Sequence, residues 1–144
     1  MSTATDEVAR GDAAPENRRA VLTKAVVRAS QLLGISQSCV ARSLGVSEST
    51  ASRMFAGNYL LEPGRKEWEL AALFVRMFRS LDSLVGKDDA ARAWLTSDNQ
   101  ALGARPVDLI PHAEGLVRVV FYLDAARGRV LDEAPWTSRC GFSP

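Results

Sequence analysis

Two cysteines and one histidine in 144 residues are too few for a disulfide-framed scaffold or a His/Cys metal cage. Cys39 and Cys140 lie far apart and match no redox or zinc spacing, so both are expected as free, reduced thiols. No apolar run approaches the roughly 18 residues of a membrane span. The N-terminus, STATDEVARGDAAPENRR, lacks the hydrophobic core of a secretory leader, which places the chain in the cytoplasm with no membrane partner. Also missing are a GxSxG elbow, an HExxH pair, a CxxC pair, a Walker loop and a GxGxxG turn. No catalytic residue, metal ligand or cofactor is therefore assigned, and the chain reads as a binding protein and not an enzyme. His112, between Pro111 and Ala113, reads as a surface or capping residue.

What is present is ordinary for a folded globular chain, with 47% apolar and 24% charged residues. The net charge of +1 conceals a division. Asn17 to Arg79 carries ten Lys or Arg against four carboxylates, whereas Ser80 to Pro144 carries seven against nine. A basic half suits a polyanion, and a more acidic half suits a different partner.

The basic half contains SQSCVARSLGVSESTASRMFAG, Ser36 to Gly57. Ala41, Gly45 and Ala51 put small residues where two short helices must cross closely around a tight turn, which is the pattern of a helix-turn-helix. Ser47 caps the second of these helices, a contribution of about 1 kcal/mol over alanine. Ser49, Thr50, Ser52 and Arg53 then project from its first turns, as short hydroxyls and a guanidinium must to approach phosphates and base edges. Glu48 opposes this, because a carboxylate there repels phosphate unless it turns away or accepts from cytosine. With Arg53 the one strong donor on that helix, Gln37, Arg42 and Asn58 complete the candidate DNA contacts. A single copy would grip weakly, so a homodimer on a palindromic site, with half-sites roughly 34 Å apart, is expected.

Helical periodicity runs through the whole chain, and no strand-like alternation appears, so the fold is expected to be all-α. Residues 1–16 are polar and acidic without apolar periodicity and read as a mobile arm, with structure starting near Asn17. Val21, Ala25, Arg28, Leu32 and Leu33, with Val26 and Ala29, outline the first amphipathic helix, ending at Gly34. A long helix over about Arg65 to Val85 is apolar on more than one side, and is expected to lie between two halves or to form a dimer interface. Residues 17–85 thus form a DNA-binding domain with a connecting helix, and residues 86–130 a second helical domain. In the latter, Asp88 to Leu95 is a short helix, Pro106 to Ile110 a helical turn opened by proline, and Ala113 to Arg127 a helix with Leu116, Val119, Val120 and Leu123 inward. Gly128 is expected to stop that helix. Residues 131–144 form a tail with Trp136 and Phe142.

In that second domain the order Trp94-Leu95, Asn99, Leu102-Gly103, Pro106-x-Asp108-Leu109-Ile110, Glu114-Gly115, Val119, Leu123-Asp124 and Gly128 resembles the C-terminal domain of the MbcA/ParS/Xre antitoxins. With an N-terminal Xre-like helix-turn-helix, the resemblance covers about Asn17 to Val130. It implies an antitoxin for a RES-domain toxin that consumes NAD, with the C-terminal half occluding the toxin's active site. It further implies that the helix-turn-helix binds operator DNA to regulate the antitoxin's own operon. By position, Trp94, Leu102, Gly103, Pro106, Leu109 and Gly115 map to structural supports. The candidate toxin contacts are Asn99, Gln100 and Arg105 in the loop, and Trp136 and Arg139 in the tail, where a guanidinium could meet phosphate-binding or acidic groups. Two other classes fit the residues alone. One is a stand-alone helix-turn-helix regulator whose C-terminal domain dimerises or senses a ligand; the other is an interaction module with a vestigial helix-turn-helix.

Overall fold

In the computed structural model residues 3–132 are described, with side chains for residues 16–128. Among them the chain forms α1 (Thr3–Leu33), α2 (Gln37–Leu44), α3 (Glu48–Ala56), α4 (Lys66–Val85), α5 (Asp88–Thr96), α6 (Pro106–Leu109) and α7 (Ala113–Asp132), and no named strand. The protein is all-α.

Local chemistry sets the short helices. Ser36 accepts the Cys39 N–H at 3.1 Å and starts α2, and Ser47 accepts the Thr50 N–H at 3.1 Å and starts α3. Gly45 ends α2 at φ 71°, with its own N–H and that of Val46 turned back onto the helix's last carbonyls. A side chain here would be strained in the left-handed region, so glycine is what lets α3 follow at once.

Packing organises the rest around α4, which touches α1, α2, α5 and α7. Phe74, Met77 and Leu81 of α4 are fully buried, together with Leu116, Val119, Val120 and Leu123 of α7. Burying one such side chain contributes about 1.5–3 kcal/mol, so this α4–α7 seam is the main apolar reservoir of the fold. The long helix therefore lies between the two halves. A buried Ser43 hydroxyl on α2 donates to the Ile110 carbonyl at 2.8 Å and ties the helix-turn-helix to the C-terminal half.

Three expectations are corrected. First, α1 begins at Thr3 and not near Asn17. Ala4, Ala9, Ala13 and Ala14 are strong helix formers, and helix propensity needs no amphipathic stripe to act. Second, the inward face of α1 is only partly the one read in the sequence: Val26, Ala29 and Leu33 are buried as expected, but Thr23 and Ser30 join them, while Arg28 is exposed and Val21 is 59% exposed. Two hydroxyls disguise that face. The Thr23 hydroxyl donates to Arg19 O and accepts the Leu61 N–H, and Ser30 donates to Val26 O, so both are buried without an unmet polar group. Third, α7 runs through Gly128 to Asp132, because Gly128 does not take up the positive φ that ends a helix.

Candidate functional site

The helix-turn-helix is built as the small residues require. Ala41 and Ala51 are 1% and 0% exposed at the α2–α3 crossing, where any larger side chain would separate the helices. Outward from that crossing, Gln37, Arg42, Ser47, Ser49, Ser52, Arg53 and Asn58 are exposed and Thr50 is half-buried. Ser47 donates to Thr50 Oγ1 at 2.9 Å and lies 3.1 Å from the Ser49 hydroxyl. The Glu48 carboxylate accepts from Ser38 at 2.8 Å, which ties it to the start of α2.

Arg53 is held in place before any ligand arrives. Its Nη2 donates to Thr50 Oγ1 at 3.2 Å, and its guanidinium carbon sits 5.6 Å from the centre of the Tyr59 ring. Tyr59 in turn donates to Glu67, whose buried carboxylate also accepts the Glu62 N–H. Burial, and then the hydrogen bond to Glu67, push the Tyr59 hydroxyl above the ordinary tyrosine value. Arg19 reaches across from α1 to the Leu60 and Leu61 carbonyls and pairs with Glu62 at 2.6 Å, pinning the same loop. Tyr59 was not legible as a positioning residue, since the only sequence signal is an aromatic six residues beyond Arg53. Gln37, Arg42 and Asn58 are exposed too, and among the described residues no side-chain hydrogen bond or ion pair joins them to the Ser47–Arg53 group.

The C-terminal half presents a stiff loop, residues 97–105, against α7. Asn99, expected as a direct partner contact, is instead 7% exposed. Its Oδ1 accepts the Leu102 N–H at 3.1 Å, while its backbone pairs with Gly103 and Ala104, so its side-chain oxygen and its backbone hold the loop together. Arg118 of α7 donates to the Leu102 carbonyl at 2.8 Å and closes the loop from the other side. Gln100 and Arg105 are exposed. Arg105 forks onto Asp108 at 2.9 and 3.2 Å, and that partner raises its pKa further. Trp136 and Arg139 lie outside the described residues.

Below the loop, α6 crosses α7 at Gly115, where an added Cβ would stand 2.1 Å from the Leu109 carbonyl oxygen. Trp94, buried as expected, stacks on Tyr122 with ring centres 6.1 Å apart. Phe121 was missed: it is 66% exposed on α7. Its signal was its position off the face formed by Leu116, Val119, Val120 and Leu123. Among the described residues no acidic, His or Cys group could hold a metal ion, and no helix is long and apolar enough to cross a membrane. Cys39 is a free, buried thiol whose pKa is raised by desolvation.

Residues 12–76 match the antitoxin Xre-like helix-turn-helix domain, and residues 80–129 match the antitoxin Xre/MbcA/ParS C-terminal toxin-binding domain. The chain belongs to the Xre/MbcA/ParS antitoxin family. Between them the two matches take in most of the antitoxin, and they divide it inside α4, the helix shared by both halves. The antitoxin thus has one half of a DNA-binding type and one half for a toxin. Comparison with individual curated proteins gave no match.

Proposed function

We propose that this antitoxin neutralises a RES-domain toxin that consumes NAD by occluding its active site, and represses its own operon by binding a palindromic operator as a cytoplasmic homodimer. It acts by binding and not by catalysis. The observation that carries the DNA reading is the exposed front of α3, where Ser47, Ser49, Thr50 and Arg53 form one hydrogen-bonded group facing solvent. A guanidinium already held by Thr50 and Tyr59 loses less freedom on meeting a phosphate or a guanine edge. Gln37, Arg42, Ser52 and Asn58 flank it and supply further backbone contacts.

The toxin reading is supported by the toxin-binding match, which contains Gln100, Arg105 and the exposed Phe121. RES identity comes from the sequence resemblance. An exposed aromatic on α7 and a rigid polar loop in the same half have the chemistry of an interface anchor and rim. Trp136 and Arg139, outside the described residues, are further candidate toxin contacts by their chemistry alone.

In a shift assay on the operator, Arg53→Ala should weaken binding about tenfold and lower the salt slope by about one counterion. Unchanged affinity and slope would remove α3 from recognition. Co-expression with the neighbouring gene, purification and an NAD-consumption assay test the other half: the complex should be silent, and deleting residues 131–144 should release activity. A complex that still consumes NAD freely would refute occlusion.

A further inference from the structure

Val21 and Leu22, off the buried face of α1, border an apolar groove of about 600 Å³ between α1 and α4, separate from both the α3 front and the 97–105 loop. Its floor includes Val21, Leu22 and Trp68, with Val21 among the most exposed large apolar side chains described. Arg18, Arg76, Arg79 and Arg127 line it, and no carboxylate does. Asp124 outside the groove pairs with Arg76 at 2.6 Å, and Arg127 donates to Ser80 at 3.2 Å. Arg18 and Arg79 have no hydrogen-bond or ion-pair partner among the described residues. An apolar trough with surplus positive charge fits a segment that is both apolar and acidic.

This chain contains such a segment. Residues 1–16 hold Asp6, Glu7, Asp12 and Glu16 against one arginine, interspersed with the small apolar residues Ala4, Val8, Ala9, Ala13 and Ala14. The segment cannot enter the groove of its own chain, because α1 is unbroken from Thr3 to Leu33 and the groove starts at Asn17. At about 1.5 Å per residue, Thr3 to Glu16 spans about 20 Å, enough to cover the roughly 16 Å from Trp68 to Arg79 along α4.

We propose that this groove receives the acidic N-terminal helical segment of a second copy, and that a two-fold axis makes the exchange reciprocal. Each α1 then lies against its partner's α1 and α4, both grooves are filled, and the assembly closes as a dimer. This names the interface of the homodimer in the functional reading above, yet needs neither DNA nor toxin to form.

Sedimentation of the full chain tests it. The wild type should be a dimer that weakens as salt rises. Arg18→Glu with Arg79→Glu should raise the dimer dissociation constant at least tenfold, and Asp6→Arg with Asp12→Arg should do the same from the other side. Mixed together, the two charge-reversed proteins should pair as a heterodimer, which no loss of folding could imitate. A monomeric wild type, variants that dimerise normally, or a mixture that stays monomeric would each overturn the proposal. Loss of toxin binding by the groove variant with its dimer intact would overturn it too, and would assign the groove to the toxin. A dimer that ignores operator DNA would refute the DNA reading alone.

Discussion

The two halves of this antitoxin solve the problem of presenting a surface in opposite ways. In the helix-turn-helix half, the exposed group is organised by local bonds: Ser47 to Thr50, Thr50 to Arg53, Arg53 over Tyr59. In the C-terminal half, contacts to backbone do that work: Gly115 lets α7 approach the Leu109 carbonyl, Asn99 accepts the Leu102 N–H, and Arg118 reaches back 16 residues to the Leu102 carbonyl. Small changes should therefore tune the first half and disrupt the second.

Gly115→Ala should have the largest effect. Its Cβ would meet a backbone oxygen at 2.1 Å, so α6 and α7 must move apart, at a cost of about 3 kcal/mol or more. Denaturant unfolding should show that loss, and toxin capture should fail. Equal stability of the variant would mean that the crossing is looser than described. Ala51→Leu is the counterpart in the other half: overpacking the α2–α3 crossing should cost about 1–3 kcal/mol and abolish operator binding while toxin capture survives. Loss of both activities together would show that the halves are not separable.

Ser43→Ala probes the join. It leaves the buried Ile110 carbonyl without its partner, a cost of about 1–3 kcal/mol, and should lower the cooperativity between the halves in a denaturant titration. The smallest effect is confined to alkaline pH. Because the folded state raises the Tyr59 pKa above the ordinary value of about 10, the neutral hydroxyl favours folding. That contribution is complete below about pH 10 and is lost as pH rises through the folded value. Wild-type stability should thus fall more steeply than that of Tyr59→Phe above pH 10, and parallel curves would exclude the linkage.

The helical corner was legible because its requirements are local. A serine cap, a left-handed glycine and two alanines each act within a few residues, so Ser47, Gly45, Ala41 and Ala51 could be placed from the chain alone, as could the inward face of α7. Side chains that turn onto backbone groups were harder to read, even where the partner is close in sequence. Asn99 has the chemistry of a surface contact, and only the folded loop shows its amide turned inward. Thr23 and Ser30 are polar by type, and only the folded chain buries them, with each hydroxyl bonded to a carbonyl four residues back.

Residue order alone settled the all-α class, the positions of the α2–α3 corner and α7, and the family, since helix signals and motif spacing are properties of neighbouring residues. Folding in three dimensions decided which face of α1 turns inward, that Arg53 leans on Tyr59, that Asn99 closes its own loop, and that Val21 and four arginines line one groove. Those outcomes depend on how side chains turn and pack in the folded chain, across tens of residues at the groove but within six for Arg53 and Asn99, where burial and hydrogen-bond satisfaction outweigh the preference of any one position.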